Sequence, residues 1–390
     1  MRLNPAFGRL GDENAFKVLA RANMLAAKGR DIINLGIGQP DFPTPEHIVE
    51  AGIKALRDGH HGYTPATGIP QLRESVADNL AIHSGAKVSP ENILIAPGGK
   101  VTMHMAIMMF GTQETEIIYP DPGFPIYRSM IDFTGAKAVP VSIREENGFA
   151  ISAKDILSRI TDKTRLIIIN SPANPTGGAT PKSEIDKLVS GLGKHPDVAI
   201  LSDEIYSRML FDGLEHQSLA AYPSIRDRLI ILDGWSKTYA MTGWRLGWSL
   251  WPDKLIDLAR KFAVNSYSCV NASAQYAGLA AITGPQDCVT SMVDEFDRRR
   301  KLVVSKLNAI QGIRCATPKG AFYAFPNISK TGFSGNQLSH TLLEDYGVAT
   351  VAGMDFGNQG KDFIRLSFAN SFENIEKALE RIGTCIARAN

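Results

Sequence analysis

Long apolar runs are missing from this chain. Nowhere do eighteen apolar residues follow one another, so no segment predicts a bilayer-spanning helix. The first residues, MRLNPAFGRLGDEN, lack an apolar core flanked by a cleavage signal, and no secretory leader is expected. Cysteine is scarce. Cys269, Cys288, Cys315 and Cys385 are the four present, with no CxxC pair among them, which argues against a disulfide framework and against a thiolate metal site. Reduced thiols in a cytoplasmic protein are the expectation. A surplus of one charge is absent too: 42 Lys and Arg against 40 Asp and Glu leave a formal net charge of +2. No long-range field therefore points to nucleic acid or to an anionic membrane. The densest basic run, EFDRRRKLVV (295–304), reads as a solvated helix face. No GxGxxG follows the early strands, which disfavours a dehydrogenase.

What is there is an ordinary globular composition, 390 residues with 44% hydrophobic, enough for a large core and two domains. Short Ile/Leu/Val runs alternate with helical patterns: NILIAPGGK (92–100), TEIIYPDPGFPIY (115–127), TRLIIINSPANPTG (164–177), VAILSDEIY (198–206) and RLIILDGWSK (228–237). Continuous rather than alternating apolar strands suit a mainly parallel sheet covered on both faces, an α/β fold. Each run stops at Gly, Pro, Ser, Asn or Asp. In open α/β sheets the ligand crevice lies at the carboxyl ends of the strands, so residues 98–100, 124, 174, 203, 206 and 237 are expected along one edge. After TGPQD (283–287) an amphipathic helix over roughly 286–310 leads into shorter segments, predicting a smaller α+β domain. The expected division is 1–44 as a crossing segment, 45–285 as the large domain and 286–390 as the small one.

Taken singly, each candidate residue has a structural explanation. Gly98, Gly99 and Lys100 stand between a strand and a helix, where backbone N–H groups hold an anion and where a tight turn also needs glycine. Asp203 ends an apolar run, where a carboxylate is costly without a cationic partner, yet Asp also caps helices. Asn174 can serve the turn around Pro175 and Gly177, and Phe124 and Tyr206 can be core. Arg245 offers a fork suited to phosphate. Together with Lys237 the set changes meaning. An anion cradle, a carboxylate, amide and hydroxyl donors, a stacking ring and an amine nucleophile match pyridoxal 5′-phosphate, which has a phosphate, a ring nitrogen, a phenolic oxygen and an aldehyde.

The motifs NLGIGQPDFPTP, GYTPATGIPQLRE, PGGK, NSPANPTGG, LSDEIYS, SKTYAMTGWRLG, GAFYAF and IRLSFA run in order over nearly the whole chain. The sequence resembles the class I/II, fold-type I pyridoxal-phosphate-dependent aminotransferases of the aspartate and aromatic aminotransferase superfamily. That resemblance implies a three-layer α/β/α large domain and a smaller α+β domain. It implies that Lys237 carries the cofactor as a Schiff base and then shuttles a proton, and that Asp203 pairs with the ring nitrogen. Tyr206 and Asn174 would bond the phenolic oxygen, and Phe124 would stack on the ring. Gly98, Gly99, Lys100 and Arg245 would hold the phosphate, with Ser236 as the hydroxyl next to the lysine. Arg365 would grip the substrate carboxylate as a bidentate fork, with a backbone contact from Gly38. Tyr63 would reach the neighbouring subunit's phosphate, so a homodimer is implied.

Departures from the family pattern sharpen the expectation. Gly234 stands where many relatives carry a phosphate-binding hydroxyl, and Ala352 where many have proline. The stretch VNSYSCVNAS (264–273) has no arginine for a second substrate carboxylate. Aspartate, aromatic and small aliphatic donors therefore stay open, with 2-oxoglutarate as the acceptor. A β-lyase, an aminocyclopropane-type synthase and a non-enzymatic binding protein on the same fold are the alternatives. The Lys237 pKa is expected to be low, because burial and cationic neighbours both disfavour its charge.

Overall fold

Strands β2 (Ile93–Ala96), β3 (Glu116–Asp121), β5 (Thr164–Asn170), β6 (Ala199–Asp203) and β7 (Leu229–Gly234) are the apolar runs of the sequence. In the computed structural model, which describes residues 1–389, they join β4 (Lys137–Ser142) and β8 (Gly247–Leu250) in one seven-stranded sheet. The strand order is β2-β8-β7-β6-β5-β3-β4, and only β8 runs antiparallel to its neighbours. Successive residues of each strand feed opposite cores. Ile167, Ile169, Ile200 and Ile231 pack on one face, while Leu166, Ile168, Leu201, Ile230 and Leu232 pack on the other. Two buried faces leave few polar positions in the middle of a strand, which is why the apolar runs are nearly continuous.

Two strands of this sheet escaped the sequence pattern. β4 is an edge strand whose residues are mostly half-exposed or exposed, so its sequence, KAVPVS, lacks the apolar continuity of the rest. β8 is only four residues long and follows directly on the glycine-rich lysine segment.

A three-stranded antiparallel sheet, ordered β11-β12-β9, gathers β9 (Tyr323–Ala324), β11 (Val351–Ala352) and β12 (Ile364–Ser367). Its own core contains Phe322, Leu338, Leu342, Ile364, Leu366, Ile375 and Ile382. The two-residue strand β1 (Ile33–Asn34) pairs in parallel with β10 (Val348–Ala349), which ties the start of the chain to its last third. The long helix spans Asp287–Asn308, close to the expected 286–310.

The basic run on that helix is not the solvated face the sequence suggested. Arg299 and Arg300 are buried, at 6% and 2% exposure, and only Arg298 and Lys301 face solvent. Arg299 pairs with Glu295 at 2.8 Å and Asp41 at 2.7 Å; Arg300 pairs with Asp212 and Asp297, both at 2.6 Å. Burial is affordable because each guanidinium meets two carboxylates, and Asp41 and Asp212 come from distant segments that sequence periodicity does not reveal. No described helix is long and apolar enough to cross a membrane.

Candidate active site

The carboxyl ends of the parallel strands converge on one cavity of about 510 Å³. Asn170 ends β5 and Asp203 ends β6, and the two are register partners. Asp203 in turn sits beside Leu232 of β7. Directly after β7 the chain enters a short helix, Trp235–Thr238, which carries Lys237. Trp235 is 1% exposed and its indole donates to the Gly278 carbonyl at 2.9 Å, fixing this helix against the neighbouring one. Gly38, Gly99, Lys100, Phe124, Asn174, Asp203, Tyr206, Ser236, Lys237, Arg245 and Arg365 all line the cavity. The carboxyl ends of the parallel strands thus meet Gly38 and Arg365, more than three hundred positions apart and both from outside that sheet.

Lys237 Nζ donates to the Gly38 carbonyl at 2.5 Å. Its ammonium is drawn from 10.5 down to about 8, first by burial and then by the positive charge of Arg365. By accessible surface Lys237 is half-buried, because its amine looks into the cavity while protein atoms surround its stem. Asp203 is 4% exposed and pushed up to about 6 by burial, against the pull of a 2.6 Å hydrogen bond from the Tyr127 hydroxyl. An amine easily freed of its proton and a buried carboxylate lacking a cation therefore share one cavity.

The segment expected to form an anion cradle lies at the N-terminus of the next helix to reach the cavity. Gly98 precedes the helix Gly99–Phe110 with φ +87°, a conformation that favours glycine. A Cβ there would overlap the Arg245 guanidinium, so the absent side chain is what lets the arginine lie against the helix N-terminus. Gly98 itself does not line the cavity. Gly234, the position without a hydroxyl, has a plain steric cause: a Cβ would stand 2.8 Å from the Gly247 Cα on β8.

Arg365 on β12 is 3% exposed. It donates to Asn174 Oδ1 at 2.9 Å and to the Gly36 carbonyl, and it lies over the rings of Tyr323 and Phe356 at 4.7 and 4.8 Å. Its Nε is buried without a partner. A buried guanidinium with a spare donor is suited to a carboxylate arriving from solution. Tyr63 lies outside the cavity and is 93% exposed.

Three site residues were not singled out from sequence. Tyr127 is fully buried against Asp203, and Tyr323 bonds the Tyr206 hydroxyl at 2.8 Å. Tyr127 stands one helical turn beyond Phe124, and a face-by-face reading of Pro125–Thr134 would have found it. Tyr323 lies inside the motif GAFYAF. Glu13 lines the cavity from a segment with no motif at all.

A second cavity of about 500 Å³ is lined by Glu204, His216 and Asp233 among others. Its polar groups satisfy one another: Glu204 accepts from Ser202 and faces His216, both at 2.8 Å, and Asp233 accepts from Ser207 and the Gly234 amide. No group of His, Cys, Asp and Glu among the described residues is arranged to hold a metal ion.

The family model for aminotransferase class I and II matches residues 30–382. The aspartate aminotransferase of Pyrococcus abyssi is 37% identical over 92% of both chains. The aromatic-amino-acid aminotransferase 2 of Thermococcus litoralis is 37% identical over 90% of both. The crystal structure of an aspartate aminotransferase from Rhizobium meliloti superposes with a TM-score of 0.94 at 32% identity, covering 100% of this chain and 99% of that one.

Proposed function

Because the chain belongs to the aminotransferase class I and II family, we propose that the cavity around Lys237 is where it moves an amino group from an L-amino acid to a 2-oxo acid. The chain is a pyridoxal-phosphate-dependent aminotransferase, and its substrates are amino acids and 2-oxo acids. The observation that carries the residue assignment is the meeting, in one cavity, of a lysine whose pKa burial lowers, a buried carboxylate and a buried guanidinium whose Nε has no partner.

The donor set fits the cofactor. The Gly99 end of a helix together with Arg245 suits a phosphate; Asp203 suits a protonated ring nitrogen; Asn174 and Tyr206 suit a phenolic oxygen; Phe124 suits a ring face. Lys100 contributes its backbone N–H and Ser236 its hydroxyl to the phosphate end. Bound there, the cofactor supplies an electron sink for the substrate Cα carbanion. Lys237 would hold the cofactor through its amine and, when free, would take the Cα proton and return it, a role that its lowered affinity for a proton favours. Arg365 holds the α-carboxylate with Asn174 and the Gly38 backbone beside it, which orients the Cα–H toward the lysine.

Two half-reactions share this one site, so the kinetics are ping-pong. The donor set is aspartate, aromatic or small aliphatic amino acids, and 2-oxoglutarate is the acceptor. The exposed Tyr63 supports completion of each site by a second copy, hence a homodimer, and the four scattered cysteines support a cytoplasmic location. Residues 45–285 and 286–390 are its two domains, with 1–44 crossing between them. Absorbance titration of the holoenzyme against a panel of amino acids tests the reading. Conversion to the pyridoxamine form with release of a keto acid is expected; pyruvate and ammonia from a thioether donor would indicate a β-lyase instead.

A further inference from the structure

The segment GAFYAF brings a second phenol into the cavity beside Tyr206. Tyr323 begins β9, which pairs with β12, the strand of Arg365. Its approach is fixed just before the strand, where the Ala321 amide donates to the carbonyl of Met209 at 2.9 Å. The rings of Phe322 and Tyr323 then stand edge-on to the Tyr206 ring, at 5.6 and 5.7 Å. Tyr323 is 1% exposed and Tyr206 3%, and their hydroxyls lie 2.8 Å apart. Position 38 must be glycine for this arrangement, because a Cβ there would overlap the Tyr323 hydroxyl.

A phenol carries one proton. Among the described residues neither hydroxyl has another hydrogen-bond partner. One proton therefore makes the bond between them, and the other is left for a guest in the cavity that both residues line. The surrounding charges decide which is which. The Arg365 guanidinium lies over the Tyr323 ring, 4.7 Å from its centroid, and a cation so placed makes a phenol the better donor. Burial holds both phenols above their ordinary 10. Arg365 draws Tyr323 back, with Glu13 as a weaker opposing charge. Tyr206 stands further above it, through burial and through Tyr323 itself, and there Asp203 opposes the pull of Arg365.

We infer that Tyr323 is a positioning residue whose hydroxyl donates to Tyr206 and so aims the Tyr206 proton at the acceptor the cavity receives. This rests on reading Tyr206 as a donor to the cofactor's phenolic oxygen. The negative charge of that oxygen then meets a proton rather than a lone pair, which lowers the proton affinity of the nitrogen joining the cofactor to Lys237. With the bond reversed, Tyr206 would spend its proton on Tyr323 and turn only lone pairs to the cavity.

Titration of the holoenzyme's visible absorbance with pH tests this. Tyr323→Phe keeps the ring against Arg365 and removes only the hydroxyl. Its midpoint is expected to rise by about 0.5 pH unit, about threefold in proton affinity. In Tyr206→Phe/Tyr323→Phe the midpoint is expected to stay where Tyr206→Phe alone puts it. A fall in the midpoint of Tyr323→Phe would mean that Tyr206 is the donor of the pair. That fall, an unchanged midpoint, or a rise that persists without the Tyr206 hydroxyl would each overturn the inference. Tyr206→Phe by itself separates the two readings, and it is expected to raise the midpoint more than Tyr323→Phe does. If it leaves the midpoint in place, the phenolic-oxygen assignment fails, whatever Tyr323→Phe does; if it raises the midpoint and Tyr323→Phe does not, only the Tyr323 inference fails.

Discussion

Replacing Lys237 by methionine should make the protein more stable while it destroys catalysis. The ammonium falls from 10.5 to about 8 on folding, chiefly through burial. At about 1.36 kcal/mol for each pH unit, that amounts to about 3 kcal/mol of stability lost to the charge. Methionine fills nearly the same space without it. The gain is trimmed because the 2.5 Å hydrogen bond to the Gly38 carbonyl disappears and because the amine retains partial solvent access. A net gain of about 2 kcal/mol at pH 7 is expected. The pH dependence has a definite sign. The folded state binds fewer protons than the unfolded one between about 8 and 10.5, so the cost is complete at pH 7 and fades as pH rises through that window. Urea unfolding of cofactor-free wild type and Lys237→Met, at pH 7 and pH 10, measures it. The advantage should shrink to less than half at pH 10, and the holoenzyme's visible absorbance and turnover should be lost in the variant. A variant less stable than wild type at pH 7, or one that still turns over, would refute the reasoning.

Tyr127→Phe removes the one side-chain donor to Asp203, so the carboxyl should move further above 6 and cofactor dissociation should rise about tenfold, read by equilibrium dialysis. Gly98→Ala places a Cβ at φ +87° on the Arg245 guanidinium; phosphate-end grip should weaken, seen as faster cofactor loss with inorganic phosphate as competitor. Arg300→Ala should cost about 2 kcal/mol in chemical denaturation because it empties the buried space of a guanidinium that bridges Asp212 and Asp297, even though Lys301 still faces Asp297, while the exposed Lys301→Ala should stay within about 0.5 kcal/mol.

The parallel core was legible because burial on both faces writes itself into consecutive residues. Ile167 to Ile169 and Leu229 to Leu232 announce strands without any partner being known, and the polar residue that ends each run marks the edge where ligands bind. Asp203 could be picked out for the same reason, since a charge at the end of an apolar strand needs a chemical explanation, and Lys237 follows closely on another such run; Arg365 was reached only through the resemblance. The edge strand β4 carried no such signature, because one side of it faces solvent.

Which charges meet was left to the folded chain. Arg299 and Arg300 look like any basic helix face until Asp41 and Asp212 arrive from elsewhere to neutralise them. Glu13 has no motif around it, and only the packing of the first helix against the cavity mouth gives it Lys100. Periodicity reports how much of a residue is hidden from water, a local property that each segment carries alone. Ion pairing depends on distance between segments, and that exists only after the strands and helices have closed around one another.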